Sequence, residues 1–153
     1  MNYSIDELYD LIMWDRQLSA EENEAKAQTG IDAARKIRNL YPFIQPIVVP
    51  PENSKSVWDP CAKIVAMRSD EELKPYLFML LEWIQDTNWP GAMIIYDRLL
   101  RMPYSLLEFA YTYSRKKAQQ TNDTCWLDVL DQLYEDLEAK SQNLRLSASV
   151  KEK

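Results

Sequence analysis

The sequence contains no histidine, and its 153 residues include only two glycines and two cysteines. Without histidine, the chain lacks the commonest general base, the usual zinc ligand and every serine–histidine or cysteine–histidine catalytic pair. The two glycines, Gly30 and Gly91, are too few for a glycine-rich phosphate loop. Sandwiches and barrels also need glycine at many turns, so its scarcity favours helices joined by short connections. The sequence therefore predicts a helical protein that is not an enzyme.

Cys61 and Cys125 lie far apart along the chain, and two thiols alone cannot complete a tetrahedral metal site. So few cysteines in a chain of this length indicate a reducing cytosol rather than a disulfide scaffold. No apolar run approaches the roughly 20 residues that a membrane-spanning helix needs. The acidic, amphipathic start MNYSIDELYD is also unlike a signal peptide. We expect a cytoplasmic protein with no cofactor, no bound metal and no membrane contact.

The charge balance argues against nucleic acid as a partner. The chain carries 18 basic and 24 acidic residues, a net charge of −6 at pH 7. A protein that binds nucleic acid usually presents a basic patch or stripe instead. An acidic surface favours solubility and is suited to a basic protein partner.

Helix signals begin near the first residue. Two capping boxes, in which a serine and a glutamate three residues later satisfy each other's backbone N–H groups, predict two helices: Ser4 with Glu7, and Ser19 with Glu22. The second helix extends to about Leu40. Gly30 in its middle costs about 1 kcal/mol relative to alanine, and a close helix–helix approach explains it most simply. Residues 41–51, YPFIQPIVVPP, contain four prolines and predict an apolar extended connector with room for a short edge strand.

Five further helices follow, separated by capping residues or prolines. We place them at about residues 56–67, 75–85, 90–102, 103–116 and 124–137, with a short turn capped by Ser69 and Glu72 before the second of these. Either Asn122 or Asp123 caps the last helix. The predicted fold is all-α, with about six or seven helices in antiparallel hairpins. Residues 1–140 form a single domain, and residues 141–153, which are small and polar, are predicted to be a flexible tail.

The stretch LLEWIQDTNWPGA, residues 80–92, concentrates two tryptophans, an acid, an asparagine and a proline. We interpret it as the corner between two antiparallel helices, since only four or five residues connect them. In this interpretation Asn88 caps the next helix, Pro90 starts it and Gly91 allows a close backbone approach. The alternative hypothesis is a ligand pocket, in a small-ligand-binding protein or minor enzyme. Its residues would be Trp83, Asp86, Asn88 and Trp89.

The same stretch resembles the signature of a bacterial family known only as domain of unknown function 5071. Matching positions are Pro75, Leu80, Leu81, Glu82, Trp83, Gln85, Asp86, Asn88, Trp89, Pro90 and Ala92. With looser similarity at VPPENSKSVWD and NDTCWLDVLDQL, the resemblance covers about residues 48–135.

The resemblance implies a short α-α superhelix of the HEAT or armadillo kind. Residues 48–140 would form its repeat region, and residues 1–47 an added helical pair. It implies no known reaction and no catalytic residues. Families of this size often include bacterial immunity or accessory proteins, which is an analogy only.

The last predicted helix carries the clearest surface pattern. Its inward stripe is predicted at Leu127, Leu130, Tyr134 and Leu137. Four acids follow the same spacing, turned about 100° away: Asp128, Asp131, Glu135 and Glu138. They form either a solvated face or a docking strip for a basic protein such as a nuclease toxin, because complementary charge speeds encounter and excludes wrong partners. Nearby basic residues have structural interpretations: Arg115, Lys116 and Lys117 pair with a helix dipole, and Arg98 and Arg101 form surface salt bridges. For the function of the whole protein, homodimerisation through an apolar patch on the connector is a third alternative, beside binding another protein and binding a small ligand.

Overall fold

The computed structural model describes residues 2–45 and 55–151, and this part of the chain contains helices and turns but no strand. Within these two ranges there are eight α-helices: α1 (Ile5–Ile12), α2 (Ala20–Ala34), α3 (Trp58–Ala66), α4 (Asp70–Leu73), α5 (Leu77–Trp83), α6 (Ala92–Leu100), α7 (Tyr104–Gln120) and α8 (Thr124–Lys151). The all-α prediction is confirmed. All seven predicted helices are found, and the predicted short turn at Ser69–Glu72 is the four-residue α4.

The helix starts are encoded locally. Ser4, Ser19 and Ser69 each accept a hydrogen bond from the backbone N–H three residues later, at 3.1, 3.1 and 3.2 Å. In all three boxes the glutamate at that later position accepts a bond from the serine N–H in return. Each box satisfies two of the donors that a helix N-terminus leaves free.

The α1–α2 hairpin is fixed by a buried asparagine and by a glycine. The Asn23 side chain accepts a bond from the Asp15 N–H at 2.8 Å and donates to the Asp15 and Ser19 carbonyls at 2.9 and 3.1 Å. A Cβ at Gly30 would lie 2.8 Å from Ile12 Cγ2, closer than carbon atoms can approach. The predicted close helix–helix approach at Gly30 is therefore confirmed.

The connector after α2 begins earlier than predicted, because α2 ends at Ala34 rather than near Leu40. Residues Tyr41–Phe43 form a short 3₁₀ turn, and Phe43 and Ile44 are fully buried, as an apolar connector requires. The strand that the connector had room for is absent from residues 41–45. The rest of the predicted connector, residues 46–51, lies outside the described residues.

The helices pack in a sequence that differs from their order in the chain. α1 packs on α2, α2 on α3, α3 on α6, α6 on α8, α8 on α7 and α7 on α5. The buried apolar side chains of this arrangement form one cluster that extends from Leu8 in α1 to Leu137 in α8. Trp83, Phe43 and Leu40 are among its largest fully buried members.

Basic side chains close the C-terminal ends of several helices. Lys26 donates to the Met13 carbonyl after α1, Arg68 to the last carbonyl of α2, and Lys140 to the last carbonyl of α6. A helix C-terminus has unpaired carbonyls and a partial negative charge. A basic side chain stabilises it both by donating a hydrogen bond to a carbonyl and by its positive charge. In each case the cation comes from a helix or loop later in the chain, which fastens the closed helix to that later segment.

Arg98 belongs to the same pattern and corrects a prediction. It was expected in a surface salt bridge, but its side chain is only 7 % exposed. One of its guanidinium nitrogens donates to the Arg68 carbonyl at 2.8 Å and to the Asp70 carboxylate at 2.6 Å. The exposed Arg101 approaches the Ala66 carbonyl only at 3.5 Å.

The predicted flexible tail is helical over most of its length, because α8 continues to Lys151. Residues 141–147 are exposed, including Leu144 and Leu146, so tertiary packing does not hold this part. The segment contains no proline or glycine to end the helix, and α8 simply runs on from its packed part.

Candidate functional site

The corner at residues 80–92 is built around buried indole rings. Trp83 is fully buried, and its indole N–H donates to the Pro90 carbonyl at 3.2 Å. Its ring meets the Trp58 ring edge-on at 6.4 Å between centroids, and the partly buried Trp89 meets Trp58 in the same manner at 5.7 Å. Three aromatic rings thus join the start of α3 to the loop between α5 and α6.

The polar residues of the corner serve the turn, with one correction. Asp86 accepts a bond from the Asn88 N–H at 2.8 Å, as a turn-forming aspartate does. Asn88, predicted to cap the next helix, is exposed and does not cap it. The N-cap of α6 is Gly91, with φ at +79°. Such a left-handed backbone suits glycine, and here it turns the chain into α6 without a side-chain cap.

The ligand-pocket hypothesis gains no support from this geometry. The structure does bring Trp83, Asp86, Asn88 and Trp89 together, but Trp83 has no exposed surface and its only donor is already bonded. A ligand would have to displace the ring from the core. The hypothesis stays a prediction.

A cleft that the sequence did not reveal lies between the α1–α2 hairpin and α3. Its volume is about 520 Å³, and its wall includes the half-exposed ring of Trp14 with Glu24, Asp59 and Lys63. Charges of both signs line it together with apolar atoms, so its chemistry selects no single class of ligand.

The buried face of α8 differs at two positions from the predicted stripe, because Trp126 and Leu133 are buried in place of Leu127 and Tyr134. Trp126, Leu130, Leu133 and Leu137 are buried, Leu127 is only partly buried, and Tyr134 is 37 % exposed. The Trp126 indole N–H donates to the Leu81 carbonyl at 3.1 Å, which orients this face toward α5. Leu133 therefore takes the inward place predicted for Tyr134, and the tyrosine turns toward α7.

All four predicted strip residues are exposed on α8: Asp128, Asp131, Glu135 and Glu138. Asp131 forms an ion pair with Arg115 of α7, whereas the other three have no ion pair within the described residues. A further acid of α8, Asp136, lies outside the strip. It is partly buried and accepts a hydrogen bond from the Tyr96 hydroxyl at 2.5 Å. Lys117 lies in the last turn of α7, where a cation was predicted to serve the helix dipole. Arg115 and Lys117 also link neighbouring helices, since Arg115 pairs with Asp131 of α8 and Lys117 with Glu82 of α5 at 3.1 Å.

A tyrosine cluster borders this acidic strip and was not predicted. The rings of Tyr104, Tyr111 and Tyr134 have centroids 5.3–5.9 Å apart. Tyr111 is buried, and its hydroxyl donates to the Leu130 carbonyl at 2.9 Å. The negative charge and hydrogen bond of Glu138 raise the pKa of the Tyr134 phenol, and Glu108 of α7 adds to the effect. The spacing of Tyr104 and Tyr111, two turns apart on α7, was the available sequence signal.

A second aromatic cluster lies between α5 and α7. Phe78 contacts Phe109 and Tyr113 edge-on, at 5.8 and 5.2 Å between ring centroids. Phe109 is 78 % exposed, which is unusual for so large an apolar side chain. Nothing in the structure shows what would cover this patch.

The two cysteines occupy opposite environments. Cys61 is buried beside Tyr9 and Gln45, and burial raises the pKa of its thiol to about 12. Cys125 is exposed at the start of α8. No three His, Cys, Asp or Glu side chains in the described ranges converge to hold a metal ion. None of the helices in those ranges combines the length and apolarity that crossing a membrane requires.

We therefore expect one thiol to react with Ellman's reagent in the native protein at pH 8, and two in denaturant. Only the exposed Cys125 is accessible, and the protonated Cys61 thiol is a poor nucleophile as well as a buried one. A Cys125→Ser variant should show no rapid native reaction. Rapid native reaction of two thiols would contradict the buried placement of Cys61.

These observations define the class as a helical protein whose exposed features are a carboxylate strip and aromatic clusters. The profile of the family described as Domain of unknown function (DUF5071) matches residues 58–152, more than half of the chain, and the protein belongs to this family. The predicted membership is confirmed, although the match begins with α3 and includes all of α8 rather than covering residues 48–135. A comparison with curated proteins and another with solved structures found no match.

Proposed function

We propose that this protein is a non-catalytic, protein-binding helical domain whose acidic strip on α8 docks a basic partner. In this proposal it is a cytoplasmic bacterial immunity or accessory protein, with its hairpins stacked in the HEAT or armadillo manner. The observation that carries the proposal is the row of exposed carboxylates, three of them without an ion pair in the described part of the chain. The row lies inside the region that defines the family.

The competing explanation is a solvated face that keeps an acidic protein soluble. Two features favour docking. The acids are aligned on one face of α8 over about three turns, which presents a concentrated field to an approaching cation. A tyrosine cluster also borders them, and tyrosine is enriched at the centres of protein interfaces.

The test replaces the four acids by their amides: Asp128→Asn, Asp131→Asn, Glu135→Gln and Glu138→Gln together. A protein captured on the immobilised wild type should elute with salt. Once purified, it should be basic and should bind this variant at least about tenfold more weakly, mainly through a slower association rate.

The matched control changes the same net charge elsewhere, with Asp6→Asn, Asp10→Asn, Glu21→Gln and Glu71→Gln. These four acids are exposed on α1, α2 and α4. The control should bind as the wild type does. Equal binding by both variants would reject the strip as the contact surface. A toxin gene directly upstream would support the immunity role specifically.

A further inference from the structure

The tyrosine cluster presents one ring to a partner and holds it in place with two others. Tyr134 exposes part of its ring on α8. Its ring meets that of Tyr104 edge-on at 5.3 Å and leans on that of Tyr111 at 5.9 Å. Tyr111 is buried and its hydroxyl is hydrogen-bonded to α8, so its ring gives the partly exposed Tyr134 ring a fixed surface to pack against. A side chain ordered in this way loses little entropy when a partner binds.

Carboxylates from two helices surround that ring. Glu138 lies one turn beyond Tyr134 on α8 and is a hydrogen-bond partner of its phenol. Glu135 lines a groove of about 360 Å³ with Tyr134, and Glu108 acts on the ring from α7. None of these three acids has an ion pair within the described residues.

The chain itself already places a guanidinium in this groove. Arg115 lines the groove beside Tyr111 and pairs with Asp131 there. That end of the groove is therefore neutralised. The carboxylates of Glu135 and Glu138, further along α8, have no cationic partner in the part of the chain that the structure describes.

We infer that the exposed face of Tyr134 and the carboxylates of Glu135 and Glu138 bind an arginine side chain of the basic partner. This inference rests on the proposed function and names how the partner is recognised. A planar, weakly hydrated guanidinium stacks on an aromatic face and still donates in its plane to carboxylates. A lysine ammonium can do only one of these well, so the surface selects arginine over lysine.

The inference is tested with the whole protein and a capped Gly-Arg-Gly peptide, monitored by NMR of ring-labelled tyrosines. The resonances of Tyr134 and Tyr104 should shift with millimolar affinity. A matched peptide with lysine should bind roughly threefold to fivefold more weakly. A peptide with citrulline, which keeps the shape but has no charge, should cause no shift. Equal shifts from the arginine and citrulline peptides would overturn the inference.

Two substitutions separate stacking from charge. Tyr134→Leu should lose most of the arginine shift, read from Tyr104, whereas Tyr134→Phe should keep it because the ring remains. Tyr113→Leu, which changes an exposed tyrosine of the other aromatic cluster, should bind as the wild type does. Circular dichroism should show that each variant is folded, because both substituted side chains are exposed.

The outcomes distinguish this inference from the proposed function. If Tyr134→Leu binds the peptide normally while the fourfold amide variant does not, charge alone attracts cations. The arginine inference then fails and the docking strip stands. If the peptide binds through Tyr134 but the captured protein ignores the strip, the proposed docking function fails instead.

Discussion

Replacing Gly91 by alanine is expected to lower the free energy of unfolding by about 2–4 kcal/mol. Two costs combine. An L-residue at φ +79° is strained, and the new Cβ would lie 2.7 Å from Ala62 Cβ and 2.8 Å from the Trp58 carbonyl oxygen. The backbone oxygen and the short alanine of α3 cannot rotate aside, so α3 and the corner must separate. Urea denaturation followed by tryptophan fluorescence measures the change.

The matched control is Gly30→Ala. Its Cβ would also be crowded, at 2.8 Å from Ile12 Cγ2 and 3.0 Å from Leu11 Cβ, but the nearest backbone atom of α1, the Leu8 carbonyl oxygen, is 3.5 Å away. Gly30 lies inside α2, where alanine gains about 1 kcal/mol of helix propensity over glycine. We expect a smaller net loss than at Gly91. An equal or greater loss at Gly30 would show that steric crowding, and not the left-handed backbone, dominates at the corner.

Predictions that depended on neighbouring residues succeeded. The capping boxes at Ser4, Ser19 and Ser69 use only bonds across three residues, so they form wherever the chain starts a helix. The positions of the helices followed from the same local signals. Of the two caps offered for the last helix, Asp123 is the one used, since it accepts from the Trp126 N–H at 3.0 Å.

Predictions that depended on partners distant in sequence failed or were missed. Asn88 seemed a cap because it precedes a proline-led helix, but contact between Gly91 and α3 sets where α6 begins. Arg98 seemed a surface residue because its neighbours gave no sign of its two distant partners, Asp70 at the start of α4 and the Arg68 carbonyl just before it. Periodicity alone cannot supply such contacts.

The candidate site on α8 contains one correct and one wrong prediction from the sequence. Spacing correctly placed four acids on an exposed face of α8. It assigned Tyr134 to the core because this residue continues the spacing of Leu127 and Leu130, and Leu133 fits the same helical period equally well. The structure turns Tyr134 toward α7, where Tyr104 and Glu108 lie. The recognition chemistry that we infer thus depends on the packing of α7 against α8.

The second large effect is expected from Arg98→Ala, which should destabilise the protein by about 2–4 kcal/mol through two lost charge-assisted bonds and a cavity. Asp70, left behind, is 40 % exposed and regains water, so most of the cost falls on the Arg68 carbonyl and on the lost packing. Arg101→Ala is the matched control. Its exposed side chain makes only a 3.5 Å contact with the Ala66 carbonyl, and its loss should cost less than about 0.5 kcal/mol.

Arg98→Met separates the two contributions, because methionine fills most of the arginine stem's volume but donates no hydrogen bond. The buried bonds to Arg68 and Asp70 are expected to fasten α6 to the junction of α3 and α4. In that case Arg98→Met should destabilise the protein by at least half as much as Arg98→Ala does, measured by thermal unfolding. Stability equal to that of the wild type would mean that packing alone holds α6 there. Buried ion pairs can be replaced by apolar side chains without loss in some proteins, so this outcome is a real alternative. A loss in Arg98→Met together with an unaffected Arg101→Ala would establish the buried guanidinium as the fastening between these helices.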